Sequence, residues 1–234
     1  MKSPMLKSVV LITVIILTAS FVALANSPTD YLVHNDAHAM YQVTLATEPS
    51  TPQSSQPFTL MLDIASSEDK TPVAEFDEVH TKLLHLIIVS EDLSKFLHLH
   101  PDYQGEGRFV LNDVLLPEYG NYIVYADFTP TGAGQQVVRS TLSTVSATIN
   151  RPQLTTTEPE VVIGPLHVRL DLPDALTPGT KLNIKFYVSD AESGEPIDTL
   201  DEYLGAAGHL VIIDESTEQY IHTHPAGDHD MAAM

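Results

Sequence analysis

The sequence predicts an all-β chain of 234 residues, built as two β-sandwich repeats of which the second is truncated. Short stretches alternate apolar and polar residues with period two, and no segment sustains a helical period. One pattern also occurs twice at a constant displacement. His85, His98, His100 and Pro101 keep the same mutual spacing as His209, His222, His224 and Pro225, and Pro72, Asp77 and Glu78 recur as Pro196, Asp201 and Glu202, all displaced by 124 residues. Only 11 of 44 positions agree between residues 58–101 and their counterparts, so the shared histidines persist through extensive divergence.

Residues 1–25 read as a secretory signal peptide. Lys2 and Lys7 form a basic start, Val9 to Leu24 is apolar, and Ala23-Leu24-Ala25 is a small-x-small cleavage signal. No later segment is apolar for the roughly 20 residues a membrane span requires. The expected location is therefore the periplasm or the exterior, with no span left after cleavage. Residues 26–39 are a polar lead. Repeat 1 is expected over 40–148, a Thr- and Pro-rich linker over 149–160, and the incomplete repeat 2 over 161–234.

Within repeat 1, Val43 and Leu45 alternate with polar neighbours, as do Phe58, Leu60, Leu62 and Ile64. Leu182, Ile184, Phe186 and Val188 repeat the second pattern. Turn-forming clusters fall between at 50–57, 66–72, 102–107 and 129–134. Phe109-Val110-Leu111 reads as a strand. Pro117 to Tyr125 has the turn-then-strand form, with an inward tyrosine, found late in immunoglobulin-like and cupredoxin-like sandwiches. Gln136–Thr141 is the last strand expected, and Asp198–Ala207 is the only stretch that suggests a turn or two of helix. Repeat 2 has no counterpart to residues 111–148, which leaves an open edge and an uncovered apolar face to be completed by another surface or left by truncation.

The chain has no cysteine, which removes disulfides, thiolate zinc sites and blue-copper centres. Its formal charge is −20. Without Lys2 and Lys7 it becomes −22, from 31 acidic against 9 basic residues. Such a surface repels nucleic acid and anionic lipid and attracts cations.

Residues 85–100 read as a β-hairpin turning at Glu91-Asp92-Leu93-Ser94. A loop centred between Asp92 and Leu93 pairs His85 with His100 and Ile87 with His98, so three imidazoles leave one face together with Ile87, Val89 and Phe96. Directly opposed residues lie about 5 Å apart and i,i+2 neighbours about 7 Å, within reach of one ion at about 2.0–2.1 Å per bond. The second hairpin, centred on Ser216-Thr217, repeats this with His209, His222 and His224. His80 is a further ligand candidate in repeat 1 only, since Leu204 is its counterpart. Asp77, Glu78, Asp201 and Glu202 are candidate carboxylates for ligation or for orienting an imidazole. All-nitrogen sites without thiolate suit copper(II), zinc or nickel, and copper binds tightest in the general order; copper is expected, zinc the alternative. His38 with Met40, and His229 with Met231, add imidazole beside thioether, a combination suited to Cu(I).

The block His85 to Pro101, followed by Tyr125-Ala126-Asp127-Phe128-Thr129-Pro130, resembles a group of secreted bacterial proteins with duplicated immunoglobulin-like or cupredoxin-like domains, similar to the YtkA-like and FixH-like groups. The resemblance spans about residues 40–225, and the HxHP hairpin is its most specific part. It implies a periplasmic sandwich that handles copper or another heavy metal, with His85, His98, His100 and their second-copy partners as ligands. A periplasmic or inner-membrane copper-handling protein is the implied partner. The alternative function is a non-catalytic secreted interaction or structural module with structural histidines. Catalysis is not expected. A cupin-like site wants a glutamate three or four residues after HxH, whereas Glu106 lies six after His100 and the second copy offers Asp228. No GxSxG elbow occurs.

Overall fold

The computed structural model describes residues 40–144, 159–172, 184–197, 200–201 and 208–224, together with the backbone of 15–17. It is all-β: among the described residues there is no helix. Repeat 1 is a two-layer sandwich. One layer has the order β2 (Tyr41–Glu48), β3 (Phe58–Ser66), β7 (Arg108–Val114), β6 (Asp102–Gly105); the other runs β5 (Phe96–Leu99), β4 (Leu84–Ser90), β8 (Asn121–Phe128), β9 (Gln136–Ser143). All neighbours are antiparallel.

The alternation expected in β3 is observed, with Phe58, Leu60, Leu62 and Ile64 buried and the residues between them partly exposed. These side chains meet Leu84, Leu86, Ile88, Val124, Ala126 and Phe128 from the opposite layer. Phe76 closes one end of this core with edge-on contacts to Tyr103, Phe109 and Phe128. The inward tyrosine is Tyr122. It is buried, and its hydroxyl donates to the carbonyl of Glu118 at 2.9 Å and accepts from the Glu118 N–H at 3.2 Å, the tyrosine-corner arrangement. One expectation fails locally: Asp102–Gly105, read as loop, is strand β6. Asp102 and Tyr103 pair with Val110 and Phe109, because the short edge carries too few alternating residues to announce itself.

Repeat 2 supplies β10 (Glu160–Ile163), β11 (Leu166–Asp171) and β12 (Lys185–Asp190) in one antiparallel sheet, and the hairpin β13 (Leu210–Asp214) and β14 (Tyr220–Thr223) in another. Strand β1 (Ile15–Leu17) lies parallel to β13 on the edge away from β14, where β8 lies on β4 in repeat 1. Of the stretch suspected of helix, Asp198–Ala207, only Leu200 and Asp201 are described, and neither is helical; nearly all of the linker lies outside the described residues.

The β4 layer is covered on both faces. Leu84, Leu86 and Ile88 point into the sandwich. Ile87 and Val89, with Leu93, Ile123 and Tyr125, point outward and form a second core with Val211, Ile213 and Tyr220 of repeat 2. Each such side chain contributes about 1.5–3 kcal/mol when fully buried, so the hairpin of repeat 2 is docked rather than merely adjacent. Directional contacts fix its seat. Tyr125 stacks on Tyr220 with ring centroids 4.7 Å apart. The carbonyl of Thr217 accepts from the Tyr125 hydroxyl and from Arg139 Nε, both at 2.8 Å, and Arg139 Nη2 donates to Thr217 Oγ1 at 2.9 Å. The covered face is the outward one, counterpart of the Ile87 and Val89 face; on the opposite face of the hairpin Ile221 is exposed, as are Val161, Val162 and Ile163 on β10.

Candidate metal centre

Both histidine hairpins have the expected register. Ile87 lies opposite His98 and Leu86 opposite Leu99; Val211 lies opposite His222 and Leu210 opposite Thr223. The turns match as well, with Leu93 and its counterpart Thr217 both in the left-handed region at φ 59° and 60°. This parity sends His85, His98 and His100 outward from β4 and β5, and His209, His222 and His224 from the second hairpin towards them. The docking of the hairpins brings the two triads together in one basin at the seam. His98 and His222 have ring centroids 5.2 Å apart, His85 and His222 5.1 Å, and His98 and His209 5.5 Å.

Hydrogen bonds set which nitrogens face the basin. His85 Nε2 lies 2.9 Å from the carbonyl of Val79; a carbonyl only accepts, so this nitrogen carries the proton and Nδ1 carries the lone pair. His98 Nε2 and His100 Nε2 approach that Nδ1 at 3.1 and 3.2 Å. In repeat 2, His224 Nε2 lies 2.8 Å from His209 Nδ1, the same atoms of the equivalent residues. His222 Nδ1 donates to Asp127 Oδ2 at 3.2 Å, with both side chains almost fully buried. Its Nε2 is buried and has no hydrogen-bond partner among the described residues. A buried imidazole oriented by a carboxylate, with its other nitrogen unsatisfied, is the arrangement a metal-ligating histidine requires.

Two ligands at about 2.0–2.1 Å from one ion at a tetrahedral angle stand about 3.3–3.4 Å apart, close to the separations around His85 Nδ1. His85, His98 and His100 offer nitrogens within 4.8 Å of one another, as do His98, His209 and His222, so these groups could hold a metal ion. Burial keeps these imidazoles neutral, the form that offers a lone pair. Burial, reinforced by neighbouring imidazoles, holds His85 down to about 4, His98 to about 2, His100 to about 3 and His224 to about 2. A basin of exposed histidines would lose its lone pairs near pH 6.5, as the bare sequence leads one to expect; desolvation moves that limit lower.

His80 belongs to the basin, its ring centroid 3.4 Å from that of His224 and 6.4 Å from that of His85. It sits in a tight turn where Val79 and Lys82 exchange backbone hydrogen bonds, with φ of 48° at His80 and 64° at Thr81. Histidine is among the residues that tolerate that region, whereas the β-branched Thr81 is strained there. The strained turn presents the His80 ring to repeat 2 and the Val79 carbonyl to His85.

The carboxylate at the centre is one that sequence reasoning missed. Asp127 on β8 lies directly across from His85 in the ladder, is buried, and accepts from Gln135 Nε2 at 2.6 Å as well as from His222. Asp77 instead accepts from the Thr131 hydroxyl at 2.7 Å, Glu78 and Asp201 are exposed, and Glu202 lies outside the described residues. The signal that could have exposed Asp127 is its position, an acid inside the apolar run Tyr122–Phe128. Of the outlying candidates, Met40 is exposed, while His38, His229 and Met231 lie outside the described residues.

No curated protein and no solved structure matches the chain. A family model described as a domain of unknown function, DUF8832, matches residues 33–146 and 161–233. Those two segments follow the two repeats and span most of the sequence, and the chain belongs to that family.

Proposed function

We propose that the protein is an extracytoplasmic copper-binding protein, a carrier, buffer or sensor, that holds its metal between its two repeats. The observation that carries this reading is the convergence of neutral imidazole nitrogens on one buried basin, with His222 Nε2 left without a partner. An all-nitrogen donor set with no thiolate selects copper over zinc by affinity, with zinc the alternative where copper is scarce. The resemblance to the copper-associated YtkA-like and FixH-like groups supports the same class and a periplasmic location. Delivery to or from a periplasmic or inner-membrane copper-handling protein follows from that class. The role is binding, not catalysis.

Calorimetric titration of the purified chain with Cu(II) and with Zn(II) tests the proposal. Tight binding that is lost when His98, His100, His222 and His224 are all replaced by alanine is the expected result. Absence of tight binding, or affinity unchanged in that variant, ends the reading. Histidines that served only to fill space would leave the protein indifferent to chelators.

A further inference from the structure

We propose that the basin binds two copper ions, one on His85, His98 and His100 and the other on His209, His222 and His224; this rests on the copper reading above. The two triads share their outer pair, while His222 differs from its counterpart His98 in turning Nδ1 to Asp127 and leaving Nε2 open for an ion. In each, the Nε2 of the HxHP histidine faces the Nδ1 of the histidine that opens the strand, at 3.2 Å in repeat 1 and 2.8 Å in repeat 2. An outer pair that exists twice in the same register gives each ion two ligands of its own, and His98 and His222 supply the third.

Donor number points the same way. A single copper ion takes about four nitrogen ligands. It would leave two of the six imidazoles held only by hydrogen bonds of the kind between His224 Nε2 and His209 Nδ1. Two ions with three imidazoles each use all six donors, and His80 then lies beside the second half-site, against His224.

Charge decides the oxidation state that fits. Asp127 is the one carboxylate bonded into the basin among the described residues. Two monovalent ions leave a net single positive charge there, whereas two divalent ions leave three and need an added anion such as hydroxide between them. Filling with Cu(I) is therefore the favoured state, and Cu(II) loading brings a bridging anion. The ions would stand on the order of 5 Å apart, the spacing of the facing rings. At that separation like charges weaken the second Cu(I) binding step by ~250-fold at an effective dielectric of about 20.

Native mass spectrometry of the full chain loaded anaerobically with Cu(I) gives the stoichiometry. Two ions in the parent protein, and one in each of the double variants His98→Ala with His100→Ala and His222→Ala with His224→Ala, is the expected result. One ion in the parent, removed by either double variant, means a single shared site around His98, His209 and His222 and overturns the inference while leaving copper binding intact. No bound ion overturns both. Should a variant fail to fold, the electron paramagnetic resonance of Cu(II)-loaded parent protein decides alone: spin-coupled or silent ions support the pair, and an isolated Cu(II) signal accounting for all bound copper refutes it.

Discussion

Acid should unfold the metal-free protein far sooner than a β-sandwich of this size would otherwise allow. In the folded state His85 is nearly fully buried and stays neutral until about pH 4, against an ordinary value of 6.5. Because its folded value is depressed, the unfolded chain binds the proton first. Stability is therefore fully present above pH 6.5 and falls as pH drops from there towards 4. At about pH 5 the difference is roughly 1.5 pH units, or about 2 kcal/mol from His85 alone at ~1.4 kcal/mol per unit. His98, His100 and His224 share the direction. Halved for the water that reaches them, they bring the loss to about 5 kcal/mol, comparable with the whole stability of many domains. Urea unfolding of chelator-treated protein, followed by circular dichroism between about pH 7 and pH 4.5, should show a midpoint that collapses below about pH 6. Bound metal, which attaches only to the folded basin, should move that collapse to lower pH. A metal-free midpoint that stays flat down to about pH 4.5 would mean the imidazoles are hydrated or already charged, and the desolvated basin would have to be abandoned.

Two substitutions probe the parts around the basin. Asp127→Asn keeps an acceptor for His222 Nδ1 but removes the charge, and should weaken copper binding by about 10–100-fold in a competition titration while the circular dichroism spectrum is retained. Arg139→Ala removes both hydrogen bonds to Thr217 and leaves that turn held by Tyr125; a loss of about 1–3 kcal/mol in urea unfolding is expected, with metal affinity unchanged.

Much of this arrangement was legible because strand parity is unforgiving. With His85, His98 and His100 fixed in sequence, an even loop places all three on one face and an odd loop separates them, so the register follows from the turn alone. The Tyr122 corner and the alternation of β3 were legible for the same local reason. The seam between the repeats was not read, although its signature is present. Leu84–Val89 and Tyr122–Phe128 are nearly continuous apolar runs, unlike β3, and such runs mark strands covered on both faces. That pattern implied a second layer outside the β4 sheet, and the hairpin of repeat 2 supplies it. His80 escaped a firm role because a turn with two left-handed residues normally advertises itself with Gly or Asn, and here the turn is His-Thr.

Placing the ligands on the docking face rather than inside either sandwich links metal affinity to the docking of the repeats. The apparent affinity is the intrinsic one multiplied by the fraction of molecules in which the hairpins are seated. With the second core of Ile87, Val89, Tyr125, Val211, Ile213 and Tyr220 intact, that fraction is close to one. A lost clamp at Arg139 then lowers stability without touching affinity. Only when truncations in the core itself make seating marginal does each further ~1.4 kcal/mol lower affinity about tenfold. By the same linkage, an ion held between the hairpins would strengthen the seating by the free energy it gains there. In this geometry the duplicated hairpin is both the second half of the site and the element whose position the metal reports.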